Sequence, residues 1–257
     1  MPEPFEIARS LRAGETVYCG WCALGAPIIA EIAAREGFRA VNIDQQHGQW
    51  DMAATFAAIA ALRSAGAAPI VRIPLGDFAV ASRVLDAGAE GIIAPMINSE
   101  ADARAFVAAT KYPPLGERSW GPNRALALQG RVGSPDYLRE ANEGTLTLAM
   151  IETRTALANV EAIAATPGLD ALFIGPYDLA IALSNGKAQD VTAAEVEQAI
   201  DRICAVAVKA GKIAGIYCRD AKRALDMKRR GFRFIAVGSD LGFLRDGIAV
   251  QMKALNA

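Results

Sequence analysis

A chain of 257 residues that is 53% hydrophobic, with 27 basic against 28 acidic side chains and a formal charge of -1, can bury a sizeable core and carries no electrostatic footprint for nucleic acid. No uninterrupted apolar stretch reaches the roughly 18 residues that a membrane span needs. The opening "MPEPFEIARS" lacks the basic and apolar regions of a secretion leader, so the expectation is a cytoplasmic enzyme acting on small molecules, with no nucleic-acid or membrane partner.

In chain order, short β-rich runs alternate with alanine-rich helical stretches. The first predicted strand, "TVYCGWC" (16–22), leads through the helical "APIIAEIAAREG" to a second, "RAVNID" (39–44). "MAATFAAIAALRSAG" then leads to "PIVRI" (69–73), and "FAVASRVLDAG" to "GIIAP" (91–95). Strands follow at "LTLAMIE" (146–152), "ALFIG" (171–175), "IAGIY" (213–217) and "RFIAVG" (233–238), with "AAEVEQAIDRICAVAVKAG" as the helix before the seventh. These helical stretches end at or near a glycine suited to capping a helix C-terminus.

Eight β/α units in this length predict a closed parallel (β/α)8 TIM barrel in one domain, 1–257, whose strands are buried on both faces and so read as continuous apolar runs. The competing open doubly wound sheet would show a glycine fingerprint after its first strand, which "GWCALGAP" does not supply. The longest irregular stretch, "KYPPLGERSWGPNRALALQGRVGSP" (111–135), is expected to be a functional loop. The "CGWC" spacing of Cys19 and Cys22 suggests redox or zinc chemistry. Period-two alternation sends residues three apart to opposite faces of a strand, however, and no second pair completes a metal site, so small buried thiols are expected.

Chemistry on such a barrel sits at the C-terminal ends of the strands. There the sequence places Trp21 after strand one, Asp44 and the chain's single histidine, His47, after strand two, and Arg72 on strand three. Glu152 ends strand five, "GPYD" leads from strand six to Asp178, and Ser239 and Asp240 follow strand eight. Burying such charges at one rim is costly unless a metal or ligand engages them. Two carboxylates without cysteine form a hard oxygen site suited to Mg2+ or Mn2+, with Co2+ a further candidate and no organic cofactor expected. A small 2-oxoacid would fill its open positions, with Arg72 stabilising an enolate oxygen and His47 acting as acid/base group. Asp44, with Asp86 of "VLDAGAEG" as a further candidate, would orient the histidine. Schiff-base chemistry is disfavoured, because every lysine falls in a predicted helix or loop, or before a strand rather than inside it.

The blocks "GFRAVNIDQQHG", "APIVRIP", "LDAGAEGIIAPMINSEADA", "IETRTALANVEAIAATPGLDALFIGPYDLA" and "GFRFIAVGSDLGFL", in this order, resemble the HpcH/HpaI family of metal-dependent (class II) pyruvate aldolases in the phosphoenolpyruvate/pyruvate-binding barrel superfamily, such as 4-hydroxy-2-oxoheptanedioate and 2-dehydro-3-deoxyglucarate aldolases. The resemblance spans nearly the whole chain. It implies reversible cleavage of 4-hydroxy-2-oxoacids to pyruvate or hydroxypyruvate plus an aldehyde, with Glu152 and Asp178 as metal ligands, Arg72 on the enolate, and His47, Asp44 and Asp86 as the acid/base group and its acidic partners.

It further implies that the oxoacid carboxylate is held by the turn Gly175, Pro176, Tyr177 and Asp178, that Trp21 lines the pocket, and that Arg118 and Arg124 of "GERSWGPNRA" are candidates for binding an anionic aldehyde. Family members commonly form hexamers, as trimers of dimers that exchange the last helix, which would here be "DLGFLRDGIAVQMKAL". Gln46 replaces a glutamate, and Met150 a glutamine, found in many and in some relatives respectively. A CoA-ester lyase of the citrate lyase β or malyl-CoA type is the nearest alternative, and a non-catalytic 2-oxoacid sensor is a third reading.

Overall fold

The computed structural model describes residues 3–132 and 135–256. Strands β1 (Val17–Cys22), β2 (Ala40–Asp44), β3 (Ala68–Arg72), β4 (Gly91–Ala94), β5 (Leu146–Ile151), β6 (Ala171–Ile174), β7 (Ile213–Cys218) and β8 (Phe234–Val237) close into a barrel in sequence order. All pair in parallel, and β8 returns to β1 through the register Val17↔Phe234 to Gly20↔Val237. Each strand lies within one residue of its predicted limits at either end. The signal is strong because both faces are buried: β2, β3, β4, β5 and β6 are buried at every position.

Alternation divides the apolar residues into two cores. Val17, Cys19 and Trp21 of β1, Ile70 of β3, Leu148 and Met150 of β5, Phe173 of β6 and Phe234 of β8 fill the barrel interior. Their neighbours along the strands, such as Ile43, Val71, Ile151 and Ile216, face the surrounding helices. Cys19 and Cys22 therefore part company, one inside and one outside. Both are buried free thiols, and burial pushes Cys22 up to about 12, where it is neither a nucleophile nor a ligand.

The outer helices obey the expected punctuation. Asp51 accepts a hydrogen bond from Ala54 N (2.7 Å) at the start of the Met52–Ala65 helix, which stops at Gly66 with φ 92. A short helix that the sequence reading did not anticipate, Glu6–Arg12, lays Ile7, Ala8 and Leu11 against the interior residues and plugs the N-terminal end of the barrel.

The 111–135 stretch corrects an expectation. It leaves the C-terminal end of the Glu100–Thr110 helix, contains the helix Asn123–Leu128, and after the Asp136–Gly144 helix the chain enters β5. It thus belongs to a helix-to-strand connection, at the end of the barrel opposite the expected chemistry. Residues 133 and 134 of it lie outside the described set.

Buried charges at this N-terminal end are matched. Arg63 pairs with Glu90, with only 3% and 2% of the two side chains exposed. Lys111 Nζ reaches Asp170 Oδ2 at 2.7 Å and donates to the carbonyl of Asn142 at 2.6 Å. Arg118 holds Asp86 Oδ1 at 2.6 Å and lies 4.6 Å from the ring centroid of Tyr112.

Candidate active site

Three inward-facing positions define the C-terminal rim. Asp44 and Arg72 are direct register partners on β2 and β3, so their side chains emerge side by side. The guanidinium grips the carboxylate in two places, Nε to Oδ1 at 2.8 Å and Nη2 to Oδ2 at 2.6 Å, the bidentate geometry that only arginine offers. Asp44 also accepts from Trp21 Nε1 at 3.2 Å and from the backbone N–H groups of Gln46 and His47 at 3.2 and 3.3 Å. Arg72 additionally stacks 4.8 Å from the Trp21 ring, and its Nη1 has no hydrogen-bond partner among the described residues.

Asp44 therefore fixes Arg72 and the backbone of the 45–47 loop. Its expected role of orienting the imidazole is not what the contacts show, since it touches His47 only through the main chain. The His47 ring is exposed at the pocket wall.

Glu152 continues the inward series Leu148, Met150 beyond the end of β5 and is 2% exposed. Its Oε1 accepts from Met96 N at 2.9 Å, whereas its Oε2 is buried without a partner among the described residues. Met96 holds that donor in place from a left-handed backbone, φ 56, that an unbranched side chain rarely adopts. Burial pushes the Glu152 carboxyl up to about 7, helped by the nearby charge of Asp178 and opposed by the Met96 N–H and by Arg72.

Gly175 makes this approach possible. A Cβ there would overlap Glu152 Oε2 and lie 2.9 Å from Met150 Cε, so any other residue would push the acid out of this position. The Pro176–Leu183 helix then begins with its Tyr177 and Asp178 amides ahead of the first internal hydrogen bond, Leu179 N to Gly175 O at 3.0 Å. Those amides and the helix dipole suit a carboxylate. Pro176 has no N–H and serves only to start the helix.

A cavity of about 320 Å³ is lined by Trp21, His47, Arg72, Gly175, Tyr177 and Asp178 among others, with Asp44 behind Arg72 and Glu152 buried behind Gly175 and Met150 rather than on its wall. The sequence reading missed its aromatic floor. Phe173 stacks on Trp21 (centroids 6.2 Å apart), and Tyr217 meets Trp21 edge-on at 5.4 Å. Alternation alone could have found both, since each is the inward residue nearest the end of its strand. No lysine lines this cavity.

Three predicted residues do not reach it within the chain. Asp86 ends a helix that returns to the N-terminal end, where Arg118 takes it, and Arg124 follows on the same connection. The sequence shows these residues in the right blocks but not which end of the barrel a helix-to-strand loop occupies.

The donor set fits a hard divalent cation. Glu152 presents an unpartnered buried oxygen beside the charge of Asp178, the arrangement that a cation would relieve. No group of three or more histidine, cysteine or acidic side chains gathers for a metal among the described residues, so further coordination positions would fall to substrate or water.

A plugged parallel barrel with this rim defines an enzyme that works on a small anionic carbonyl compound. The chain belongs to the HpcH/HpaI aldolase/citrate lyase family, which it matches over residues 18–247. It is 41% identical to a hydroxypyruvate/pyruvate aldolase from Rhizorhabdus wittichii over 231 residues, 90% of either chain. It is 37% identical to a 5-keto-4-deoxy-D-glucarate aldolase from Klebsiella pneumoniae, covering 94% of this chain and 93% of that one. The crystal structure of an HpcH/HpaI aldolase/citrate lyase family protein from Burkholderia cenocepacia superposes with a TM-score of 0.88 at 32% identity, over 98% of this chain and 99% of that one.

Proposed function

We propose that the protein is a divalent-metal-dependent carbon–carbon lyase that cleaves 4-hydroxy-2-oxoacids reversibly to pyruvate or hydroxypyruvate and an aldehyde. The observation that carries this reading is the buried Glu152 oxygen, unpartnered among the described residues, within the electrostatic reach of Asp178. The aldolase names of its relatives weigh for an aldehyde product over cleavage of a CoA ester.

Glu152 and Asp178 would hold Mg2+ or Mn2+, which when bound would supply Lewis acidity to the 2-oxo group. The remaining work is done by the chain. The Tyr177 and Asp178 amides bind the oxoacid carboxylate and fix its plane. His47 takes the proton of the 4-hydroxyl, directly or through a water. The C3–C4 bond then breaks, the aldehyde carbonyl forms, and the bond electrons pass to C3 and the C2 oxygen as an enolate. Arg72, held rigid by Asp44 and Trp21, turns its free Nη1 toward that charge. Protonation at C3 yields the 2-oxoacid.

The deciding measurement is proton–deuterium exchange at the pyruvate methyl group, followed by NMR with and without Mg2+ or Mn2+. Exchange that needs both the metal and His47 supports the aldolase half-reaction. Its absence in folded, metal-loaded protein sinks the reading.

The chain works as one barrel unit within a homo-oligomer in which the last helix, Asp240–Leu255, docks on a second copy, in keeping with a trimer of dimers. That helix touches its own barrel mainly at its first turn. There Asp240 accepts from Ala23 N and Leu24 N at 2.9 Å, and Phe243 stacks on Phe38. Beyond it Leu244, Ile248, Met252 and Leu255 stand 53%, 53%, 49% and 79% exposed along one face. A groove lined by Tyr18, Phe38, Ala224 and Val237 runs over β1 and β8 to receive such a helix. Light scattering of the Leu244→Glu, Ile248→Glu double variant should report a smaller species. No helix among the described residues is long and apolar enough to cross a membrane. Four buried free thiols suit a cytoplasmic setting.

A further inference from the structure

Asp240 is a rim carboxylate that neither the metal site nor the proton transfer has used. It is 6% exposed, and no cation pairs with it among the described residues. Backbone N–H groups meet its charge instead, as a buried carboxylate requires. Ala23 N lies 3.0 Å from Oδ1 and 2.9 Å from Oδ2, Leu24 N donates to Oδ2 at 2.9 Å, and Leu241 N donates to Oδ1 at 2.8 Å. The Asp240–Leu255 helix does not need this arrangement in order to start. Ser239 already caps it, with Oγ accepting from Gly242 N at 3.2 Å. The Asp240 carboxylate is directed at the turn that follows β1.

That turn is joined directly to the loop that carries His47. The Ala23 carbonyl accepts from Gln49 N at 2.7 Å, and the Cys22 carbonyl from Trp50 Nε1 at 2.9 Å. Two glycines let the main chains touch. A Cβ on Gly25, at φ 70, would overlap the Gln49 carbonyl, and one on Gly48 would lie 2.9 Å from the Ala23 carbonyl oxygen. Two carboxylates thus bracket the histidine. Asp44 holds Gln46 N and His47 N, and Asp240, through Ala23, holds Gln49. The imidazole makes no hydrogen bond of its own among the described residues, so its place at the cavity follows from this backbone.

We propose that Asp240 is a positioning residue for proton transfer: by fixing the turn after β1 it fixes the loop that aims His47 into the cavity. The inference rests on the aldolase reading above. Arg72, Glu152 and Asp178 stand on other elements, and none of them bonds to the 23–24 turn among the described residues. Loosening the tether therefore displaces the base and leaves the groups that stabilise the enolate where they are. A shift of about 1 Å in a reacting group can cost on the order of a hundredfold in rate.

The test compares two reactions that reach the pyruvate enolate, using one preparation of untagged, metal-loaded protein. Proton–deuterium exchange at the pyruvate methyl group needs a base at C3. Loss of CO2 from oxaloacetate breaks its C3–C4 bond, sends the bond electrons to C3 and the C2 oxygen, and removes no proton. Asp240→Ala should lower kcat for exchange at least about tenfold, while KM for pyruvate and the decarboxylation rate change less than about twofold. Asp240→Asn keeps one carbonyl oxygen for the Ala23 and Leu24 N–H groups and should recover part of the loss. Asp220→Ala removes the cap that Arg223 N makes at 2.8 Å on the Ala221–Arg229 helix, and as a control it should leave the ratio of the two rates unchanged. Because His47 is the single histidine, its imidazole proton resonance is read without assignment and should move in Asp240→Ala but not in Asp220→Ala. The ratio is taken within each preparation, so partial misfolding leaves it unmoved. A ratio that stays at the parent value, a fall shared by Asp220→Ala, or an unmoved His47 resonance overturns the tether alone. Failure of the parent protein to exchange pyruvate protons overturns the aldolase reading and the catalytic role of the tether with it.

Discussion

The two ends of the barrel bury similar side chains and treat them differently. At the N-terminal end Arg63, Lys111 and Arg118 each meet an acid, Glu90, Asp170 and Asp86. At the C-terminal rim Arg72 takes Asp44 for itself, and Glu152 is left with an oxygen unpartnered among the described residues, near a second carboxylate. Buried charge marks both ends, but only the rim has acids in excess. Function is legible in that imbalance rather than in the presence of charge, since a neutralised pair is a structural element and an unneutralised one waits for a ligand.

Breaking the open end should silence chemistry. Glu152→Ala or Asp178→Ala should lower metal-dependent pyruvate exchange by about a thousandfold or more, the scale of several kcal/mol of lost charge stabilisation. An exchange rate near that of the parent protein in either variant would remove the distinction between the ends.

Breaking the closed end should cost stability instead. Lys111→Met strips the carbonyls of Asn142 and Thr145 and one oxygen of Asp170, whose other oxygen keeps Arg12, of their buried donor and should lower unfolding free energy by about 3–5 kcal/mol in a denaturant titration. Exchange per folded molecule should hold.

Arg72→Ala probes the one matched pair at the open end, and should show both signatures. Loss of the enolate partner should cost about 3–4 kcal/mol in kcat, and the abandoned Asp44 should lower the melting temperature as well. A variant that lost stability alone would make Arg72 a member of the structural set.

The smallest effect concerns protons. Glu152 has its carboxyl raised from an ordinary 4.5 to about 7 by burial. It therefore contributes stability that is fully present below about pH 4.5 and is lost as pH rises through about 7, on the order of 3 kcal/mol in total. In thermal melts, metal-free protein should weaken across that window, while Glu152→Gln should remove this part of the dependence. Added Mg2+ should restore the parent protein at the upper end.

Most of the fold was legible because parallel strands buried on both faces leave unambiguous apolar runs, and glycines such as Gly66 and Gly88 mark where helices stop. The rim residues were legible for the same reason: a polar residue closing an apolar strand, as Glu152 does, stands out. Asp86, Arg118 and Arg124 lie at the other end of their own barrel, which the sequence did not disclose because residue order does not say whether a long connection follows a strand or a helix. Met96 was invisible, since its contribution is a backbone N–H aimed by an unusual φ rather than a side chain.

The plug formed by Ile7, Ala8 and Leu11 fills the N-terminal end of the barrel, so the cavity is reached from the C-terminal rim. On the proposed aldolase reading, depth would become sequence in time: an oxoacid seated beneath the aldehyde would enter first and leave last. A feature that first serves to seal a core would thereby impose an ordered kinetic scheme.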